Sequence, residues 1–139
     1  MQLSTTVYLP GHCDEAIAFY QAALGSEVMF IRRVRDDVAA ERITHGTENK
    51  VLRAALRIGQ SVLYLSDGHA AGQPAFQGFS LSLKVPTRQQ AERIVDAVSD
   101  GGRVLMALRH TAWASTLAFV LDRFGVHWTV EVDAADTSA

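Results

Sequence analysis

The chain of 139 residues has few of the features that mark several classes of protein. It has one cysteine, Cys13, which excludes an internal disulfide and a zinc site built from cysteines alone. Its net charge of −2 gives no electrostatic case for nucleic acid or anionic membrane as a partner. No apolar run approaches the ~20 residues of a membrane-spanning helix, and no charged start with an apolar core indicates a signal peptide. We therefore expect a soluble, cytoplasmic protein.

Several catalytic and nucleotide-binding signatures are also absent from the sequence. There is no glycine-rich phosphate loop, no CxxC or HExxH motif, and no Ser-His-Asp ordering. What is present is a globular composition, with 48% hydrophobic and 20% charged residues. The length allows one domain with a hydrophobic core and is too short for two ordinary domains.

The same order of elements is predicted twice along the chain: a strand, a helix and three further strands. The first helix begins near Cys13 and stops at Gly25, and Thr87 and Gln90 form a capping box at the start of the second. A polar stretch at 35–50 is predicted as an irregular loop or one short helix. The predicted strands are LSTTVYL, EVMFIRRV, VLRAALRIG and SVLYLSDG, then FSLSLKV, RVLMALRH, STLAFVLD and VHWTVEV.

This internal repeat predicts two modules that bury their apolar faces together in one domain. Module one spans about 1–70 and module two about 76–133, so the single domain covers 1–133. The polar tail at 134–139 is expected to be mobile.

The ordered motifs CDEAIAFYQAALGSEV, LRIGQSVLYLSD, GGRVLMAL and DRFGVHW resemble the PhnB-like branch of the vicinal oxygen chelate superfamily. That superfamily includes glyoxalase I, fosfomycin- and bleomycin-resistance proteins and extradiol dioxygenases. The resemblance implies an α+β fold, in which two βαβββ modules form a curled, eight-stranded mixed sheet shaped as a half-open cup. It also implies a homodimer, with a binding cleft inside or beside each cup.

In metal-dependent members of the superfamily, four side chains from the cup walls hold one divalent ion. Histidine, glutamate and aspartate suit that role because they offer lone pairs to the cation. Carried onto this sequence, the four positions fall on Thr5, Tyr64, Ser80 (or Phe79, counting back from the helix) and Thr129. None is a histidine or a carboxylate. We therefore expect no metal at the usual site and no other cofactor.

The third strand carries RAAL, where members of the branch often have H-A-x-L, so Arg53 replaces a histidine. If this strand alternates, Arg53 and Arg57 line the cup while Leu56 packs under the helix. Arg53 could then hold a carboxylate or phosphate in bidentate fashion. The alternative is that it points to solvent or pairs with an acid across the dimer. Tyr64 is the best candidate for an aromatic residue in the cleft.

The segment DRFGVHWTVEV combines two acids and a histidine near the end of the chain. Asp122 to Gly125 is predicted to be a turn, and Trp128 to pack behind the last strand. His127, Thr129 and Glu131 share the other face of that strand. At ~3.3 Å per residue, His127 and Glu131 are about 13 Å apart, too far to bind one ion directly.

Three other residues have alternative interpretations. His12 and Cys13 lie at a helix N-terminus, where a Cys-His pair is conceivable, although Cys13 is better explained as a small, partly buried cap residue. Trp113 either covers the cleft and stacks on a flat ligand or fills the dimer interface.

The predicted function is metal-free binding of a small organic molecule, anionic or planar, by a homodimer. The predicted cleft residues are Thr5, Arg53, Tyr64, Ser80, Trp113, His127 and Thr129. One alternative is a metal-dependent glyoxalase-like lyase, isomerase or dioxygenase, with a shifted metal site built from residues such as His12, His127 and Glu131. A second is a cofactor-free enzyme that uses Tyr64 or Cys13. The sequence leaves open whether any catalysis occurs.

Overall fold

The computed structural model describes residues 1–68, 74–112 and 116–133, and it confirms the α+β fold with two βαβββ modules. The first module consists of β1 (Thr5–Tyr8), α1 (Cys13–Leu24), β2 (Glu27–Arg33), α2 (Val34–Asp37), a 3-10 turn (Ala40–Arg42), β3 (Val51–Ile58) and β4 (Ser61–Ser66). The second consists of β5 (Leu81–Val85), α3 (Arg88–Val98), β6 (Arg103–His110), β7 (Thr116–Leu121) and β8 (His127–Val132). None of the helices in these ranges is long and apolar enough to cross a membrane.

Hydrogen bonding divides the eight strands into two four-stranded mixed sheets with the same topology. The strand order is β1-β4-β3-β2 in the first sheet and β5-β8-β7-β6 in the second. In each sheet the first strand pairs in parallel with the last, and the other pairs are antiparallel. The chain also separates into two compact units, residues 1–74 and 75–139. The single domain over 1–133 stays a prediction, and the predicted tail at 134–139 lies outside the described residues.

The core of the first unit lies between α1 and one face of its sheet. Cys13, Ile17 and Tyr20 of α1 are buried, and the helix contacts β2, β3 and β4. The register places Leu56 opposite Leu63 on the face that α1 covers. This is the predicted alternation, because successive side chains of a strand point to opposite faces.

The second unit repeats this arrangement around α3. Val95 and Val98 of the helix and Trp128 and Val130 of β8 are all buried. Trp128 therefore packs behind the last strand, as predicted. The N-terminus of α3 is capped by Thr87, whose hydroxyl oxygen accepts a hydrogen bond from the Gln90 N–H at 3.2 Å.

The predicted turn that begins at Asp122 is confirmed, and its carboxylate is buried. One carboxylate oxygen accepts hydrogen bonds from the Phe124 and Val126 N–H groups, both at 2.9 Å. The other accepts from the Trp128 indole N–H at 2.9 Å. Asp122 is therefore held by the turn and by β8, and it is 2% exposed.

Candidate functional site

In the first sheet, one face turns away from α1, and we call it the distal face. The register pairs Ala55 with Tyr64 and Arg57 with Val62, which places these four residues on one side of the sheet. The distal face includes Phe30 and Arg32 of β2, Thr6 and Tyr8 of β1, Arg53, Ala55 and Arg57 of β3, and Val62 and Tyr64 of β4. It brings together Arg53 and Tyr64, two of the predicted cleft residues.

Arg53 lies directly over the ring of Tyr64. Its guanidinium carbon is 4.0 Å from the ring centroid, which is the geometry of a cation–π contact. Arg53 is exposed and Tyr64 is half-buried. The residue beside Arg53 on β2 is Arg32, whose guanidinium is 2.6 Å from the Asp37 carboxylate. Within the described part of the chain, Arg53 itself has no carboxylate partner.

A cavity of about 290 Å³ adjoins Tyr64. It lies among the segment before β1, the turn between β3 and β4, and the start of β4. Its lining residues are Gln2, Leu3, Ser4, Gln60, Ser61, Val62 and Tyr64. The cavity and the Arg53 contact therefore meet at one side chain, Tyr64.

In the second sheet, Ser80 and Thr129 contact each other directly. Their hydroxyl oxygens are 2.8 Å apart, so one hydroxyl donates a hydrogen bond to the other. His127 shares this face of β8, and its ring is tilted against that of Phe119, with the centroids 5.9 Å apart. The His127 Nδ1 atom is buried and has no hydrogen-bond partner among the described residues.

Comparison with known proteins is consistent with this geometry. The Glyoxalase/Bleomycin resistance protein/Dioxygenase superfamily model matches residues 2–130. The chain belongs to this superfamily. Protein YjdN of Escherichia coli (strain K12) is 30% identical to it over 141 residues, covering 95% of both chains.

Two solved structures share the superfamily fold with this chain. Protein PA1353 from Pseudomonas aeruginosa superposes with a TM-score of 0.83 and 31% identity, covering 96% of this chain and 98% of that one. The PhnB protein from Bacillus cereus has a TM-score of 0.76 and 20% identity, with 95% and 99% covered. The resemblance to the vicinal oxygen chelate superfamily, with a PhnB-like fold, is thus confirmed.

The metal ion of metal-dependent superfamily members does not fit the residues of this chain. The four positions carried over from the resemblance are Thr5, Tyr64, Ser80 and Thr129, whose side chains are hydroxyls rather than imidazoles or carboxylates. The hydroxyls of Ser80 and Thr129 hydrogen-bond to each other. Across residues 1–68, 74–112 and 116–133, no three His, Cys, Asp or Glu side chains are grouped so that they could hold a metal ion.

The structure places Thr5 apart from the other residues predicted with it. Thr5 is opposite Leu63, whereas Thr6 is opposite Tyr64. Thr5 therefore points to the face that α1 covers, and Thr6 and Tyr8 are the β1 residues on the distal face. A shift of one residue along a strand reverses the direction of its side chain.

The structure also shows the surroundings of the residues named in the alternative enzyme hypotheses. Cys13 is 1% exposed, and burial raises the pKa of its thiol to about 12, with the Asp67 and Asp14 carboxylates adding to the effect. The thiol is therefore not an activated nucleophile. His12 is exposed, with its Nδ1 atom 3.4 Å from Glu15. Glu131 shares the β8 face of His127, and Trp113 lies outside the described residues.

Sequence reasoning missed the residues that line the cavity. Gln2, Ser4, Gln60 and Ser61 belong to a segment before a strand and to a turn, where no periodicity marks a side chain as important. A signal did exist for β1, because Val7 and Leu9 are the apolar residues of its alternation and Thr5 follows their period.

Proposed function

We propose that this chain binds a small organic anion without a metal ion, on the distal face of its first sheet. The observation that carries the proposal is the Arg53 guanidinium, which lies 4.0 Å over the Tyr64 ring and has no carboxylate partner among the described residues. Arginine presents a planar set of N–H donors that matches a carboxylate or phosphate in bidentate fashion.

The Tyr64 ring supports this role by holding the guanidinium in one orientation. A cation–π contact at an exposed site is worth about 0.5–1 kcal/mol, which favours one arrangement of an otherwise flexible side chain. A preorganised group loses less conformational freedom on binding. The nearby Arg32 does not compete for the anion, because Asp37 already neutralises it.

The metal-free part of the proposal rests on chemistry at the superfamily's metal positions. Ser80 and Thr129 are neutral, and one hydroxyl donates a hydrogen bond to the other. With no Lewis acid fitting those positions, the proposal is non-covalent capture and assigns no reaction. We also propose that the protein is a homodimer in the cytoplasm, as expected from the sequence.

The first test is elemental analysis of the purified protein after it is offered zinc, nickel, manganese and iron and then dialysed. We expect far less than one metal ion per chain. One tightly retained ion per chain would contradict metal-free binding.

The second test measures binding of benzoate and benzamide by NMR titration. We expect the wild type to prefer benzoate, and Arg53→Gln to weaken benzoate binding at least tenfold, since a hydrogen bond to a charged group contributes about 1.5–3 kcal/mol. Arg93→Gln, which changes an exposed arginine on α3, is the matched control and should have no effect. Equal benzoate affinity in Arg53→Gln and the wild type would remove Arg53 from the site.

A further inference from the structure

The cavity beside Tyr64 offers a second set of contacts, distinct in chemistry from Arg53. No charged side chain is among the described residues that line it. A charged group placed there would find no ion-pair partner on the cavity wall, whereas an uncharged polar group would find hydrogen-bonding side chains. The cavity therefore suits an uncharged group.

The polar side chains at the cavity can both donate and accept hydrogen bonds. Gln2 and Gln60 contribute amides, and Ser4 and Ser61 contribute hydroxyls. In the part of the chain that the structure describes, these four side chains form no hydrogen bond within the protein. They are available to a ligand group that itself carries both donors and acceptors, such as a primary amide.

The volume and the apolar lining set the size of that group. At ~30 Å³ per water molecule, 290 Å³ corresponds to about ten waters, enough for one substituted ring. Leu3 and Val62 contribute apolar surface to the cavity, and Leu3 is 98% exposed. A ring in the cavity would cover part of Leu3, and burial of apolar surface favours binding.

The position of Tyr64 sets the separation of the two contacts. Val62 and Tyr64 are two residues apart on the same face of β4, which is about 7 Å along an extended strand. Arg53 lies at the Tyr64 end of this interval, and Val62 lies at the other. One ligand can span this distance of about 7 Å if it carries an acid group and an uncharged polar group at opposite ends of a ring.

We propose that the ligand is bipartite: its acid group binds Arg53, and a ring-sized, uncharged group with an amide-like set of donors and acceptors occupies the cavity beside Tyr64. This inference rests on the proposed function, because it takes Arg53 as the anion contact. It adds the chemical class of the rest of the ligand and the residues that select it.

The test compares two probes, 4-carbamoylbenzoate and benzoate, on the full chain by NMR titration or calorimetry. In the wild type we expect 4-carbamoylbenzoate to bind at least about tenfold more tightly than benzoate, a difference of 1.4 kcal/mol. In Gln60→Ala the ratio of the two affinities should fall to about threefold or less. Gln21→Ala removes an exposed amide on α1, far along the chain from the cavity residues, and should keep the tenfold ratio.

The outcomes separate the inference from the proposed function. If benzoate binds through Arg53 but the amide adds nothing, or its advantage survives in Gln60→Ala, the inference is overturned and the proposed function stands. If neither probe binds, both fail. Gln2→Ala gives a second readout should Gln60→Ala disturb the turn, because Gln2 lies outside every helix and strand.

Discussion

The thiol of Cys13 illustrates how burial outweighs position in a helix. Cys13 is the first residue of α1, where the partial positive charge of the helix N-terminus usually lowers a thiol pKa. Burial opposes the thiolate more strongly, and the Asp67 and Asp14 carboxylates repel it as well, so the pKa rises to about 12 despite the nearby Arg33 guanidinium. At neutral pH this cysteine therefore acts as a small apolar core residue.

The raised thiol pKa predicts a loss of stability at alkaline pH. In the unfolded chain the thiol ionises near its ordinary pKa of 9.0, and in the folded chain only near 12. The stabilisation is fully present below pH 9 and is lost as the pH rises toward 12, by at most ~1.4 kcal/mol per pH unit. Between pH 7.5 and pH 10.5, the wild type should lose about 2 kcal/mol that Cys13→Ala does not lose.

Urea unfolding of both proteins at the two pH values measures this difference. Only the change in the gap between wild type and variant counts, since the smaller side chain lowers stability at every pH. Native wild type should also react slowly with a thiol reagent at pH 8 and quickly in urea. Equal alkaline sensitivity of the two proteins would show that the thiol does not titrate in this way.

At the level of single residues, the family alignment and the alternation of β3 each predicted part of the site. Tyr64 was taken from the alignment and the direction of Arg53 from the alternation, and both residues lie on one face of the sheet. Thr5 came from counting along a motif, and the register places it with the core residue Leu63. A count that is wrong by one residue changes the face, whereas a hydrophobic period does not depend on the count.

The two long helices are capped in different ways. Thr87 caps α3 locally, through the hydrogen bond that its hydroxyl accepts from Gln90. The side chain of His12, the N-cap residue of α1, does not cap a backbone N–H group of the helix. Instead, one oxygen of the buried Asp67 carboxylate accepts from the Gly11 and Cys13 N–H groups, at 3.0 and 3.2 Å, and the other accepts from Val51 at 2.8 Å.

This contrast predicts that Asp67→Asn destabilises the protein more than Thr87→Ala. Loss of a local cap costs about 1 kcal/mol. An asparagine at position 67 must turn its NH₂ group toward a backbone N–H donor, and an unsatisfied buried donor costs about 1–3 kcal/mol. We therefore expect Asp67→Asn to lower the free energy of unfolding by about 2–3 kcal/mol. The free energies of unfolding in urea give both values.

Asp96→Asn is the matched control for the aspartate substitution, because Asp96 is exposed on α3. It should change the free energy of unfolding by less than about 0.5 kcal/mol. A loss of similar size in Asp67→Asn would mean that the Asp67 carboxylate does not hold α1 to β3 and β4.

At the level of elements, the sequence predicted those features that are formed by residues close together along the chain. The α3 cap and the eight strands were predicted from residues close together in sequence. The Asp67 cap was not, because its donors at Gly11 and Cys13 are 56 and 54 residues away. The 3-10 turn and most of the short α2 lie in the polar stretch at 35–50, which has no apolar period, so the sequence left an irregular loop and one short helix as alternatives.

At the level of the whole molecule, the two modules have the same topology but different polar residues on their sheets. Tyr64 on β4 and Thr129 on β8 occupy corresponding positions, because each pairs with the second residue of the first strand of its module, Thr6 and Ser82. Tyr64 supports an arginine, whereas Thr129 bonds to Ser80. The fold is thus specified by the apolar period that both modules share, and the proposed function by the residues in which they differ.

The homodimer implied by the resemblance can be tested at this scale. Strands β2 and β6 each lie at the edge of a sheet, and each carries two exposed apolar side chains, Met29 and Phe30 on β2 and Val104 and Leu105 on β6, which are 38–45% exposed in the isolated chain. Apolar edges of this kind are usually covered in native proteins. We predict a mass of twice 15.1 kDa, about 30 kDa, by sedimentation at micromolar concentration.

A lysine at the edge that forms the interface should dissociate the dimer, because a buried, unpaired charge is costly. We therefore expect either Phe30→Lys or Leu105→Lys to sediment as a monomer of about 15.1 kDa with its secondary structure intact. Gln89→Lys adds the same charge at an exposed position on α3 and should remain a dimer. A wild type that sediments as a monomer would contradict the homodimer, and a dimer that survives both edge substitutions would place its interface away from β2 and β6.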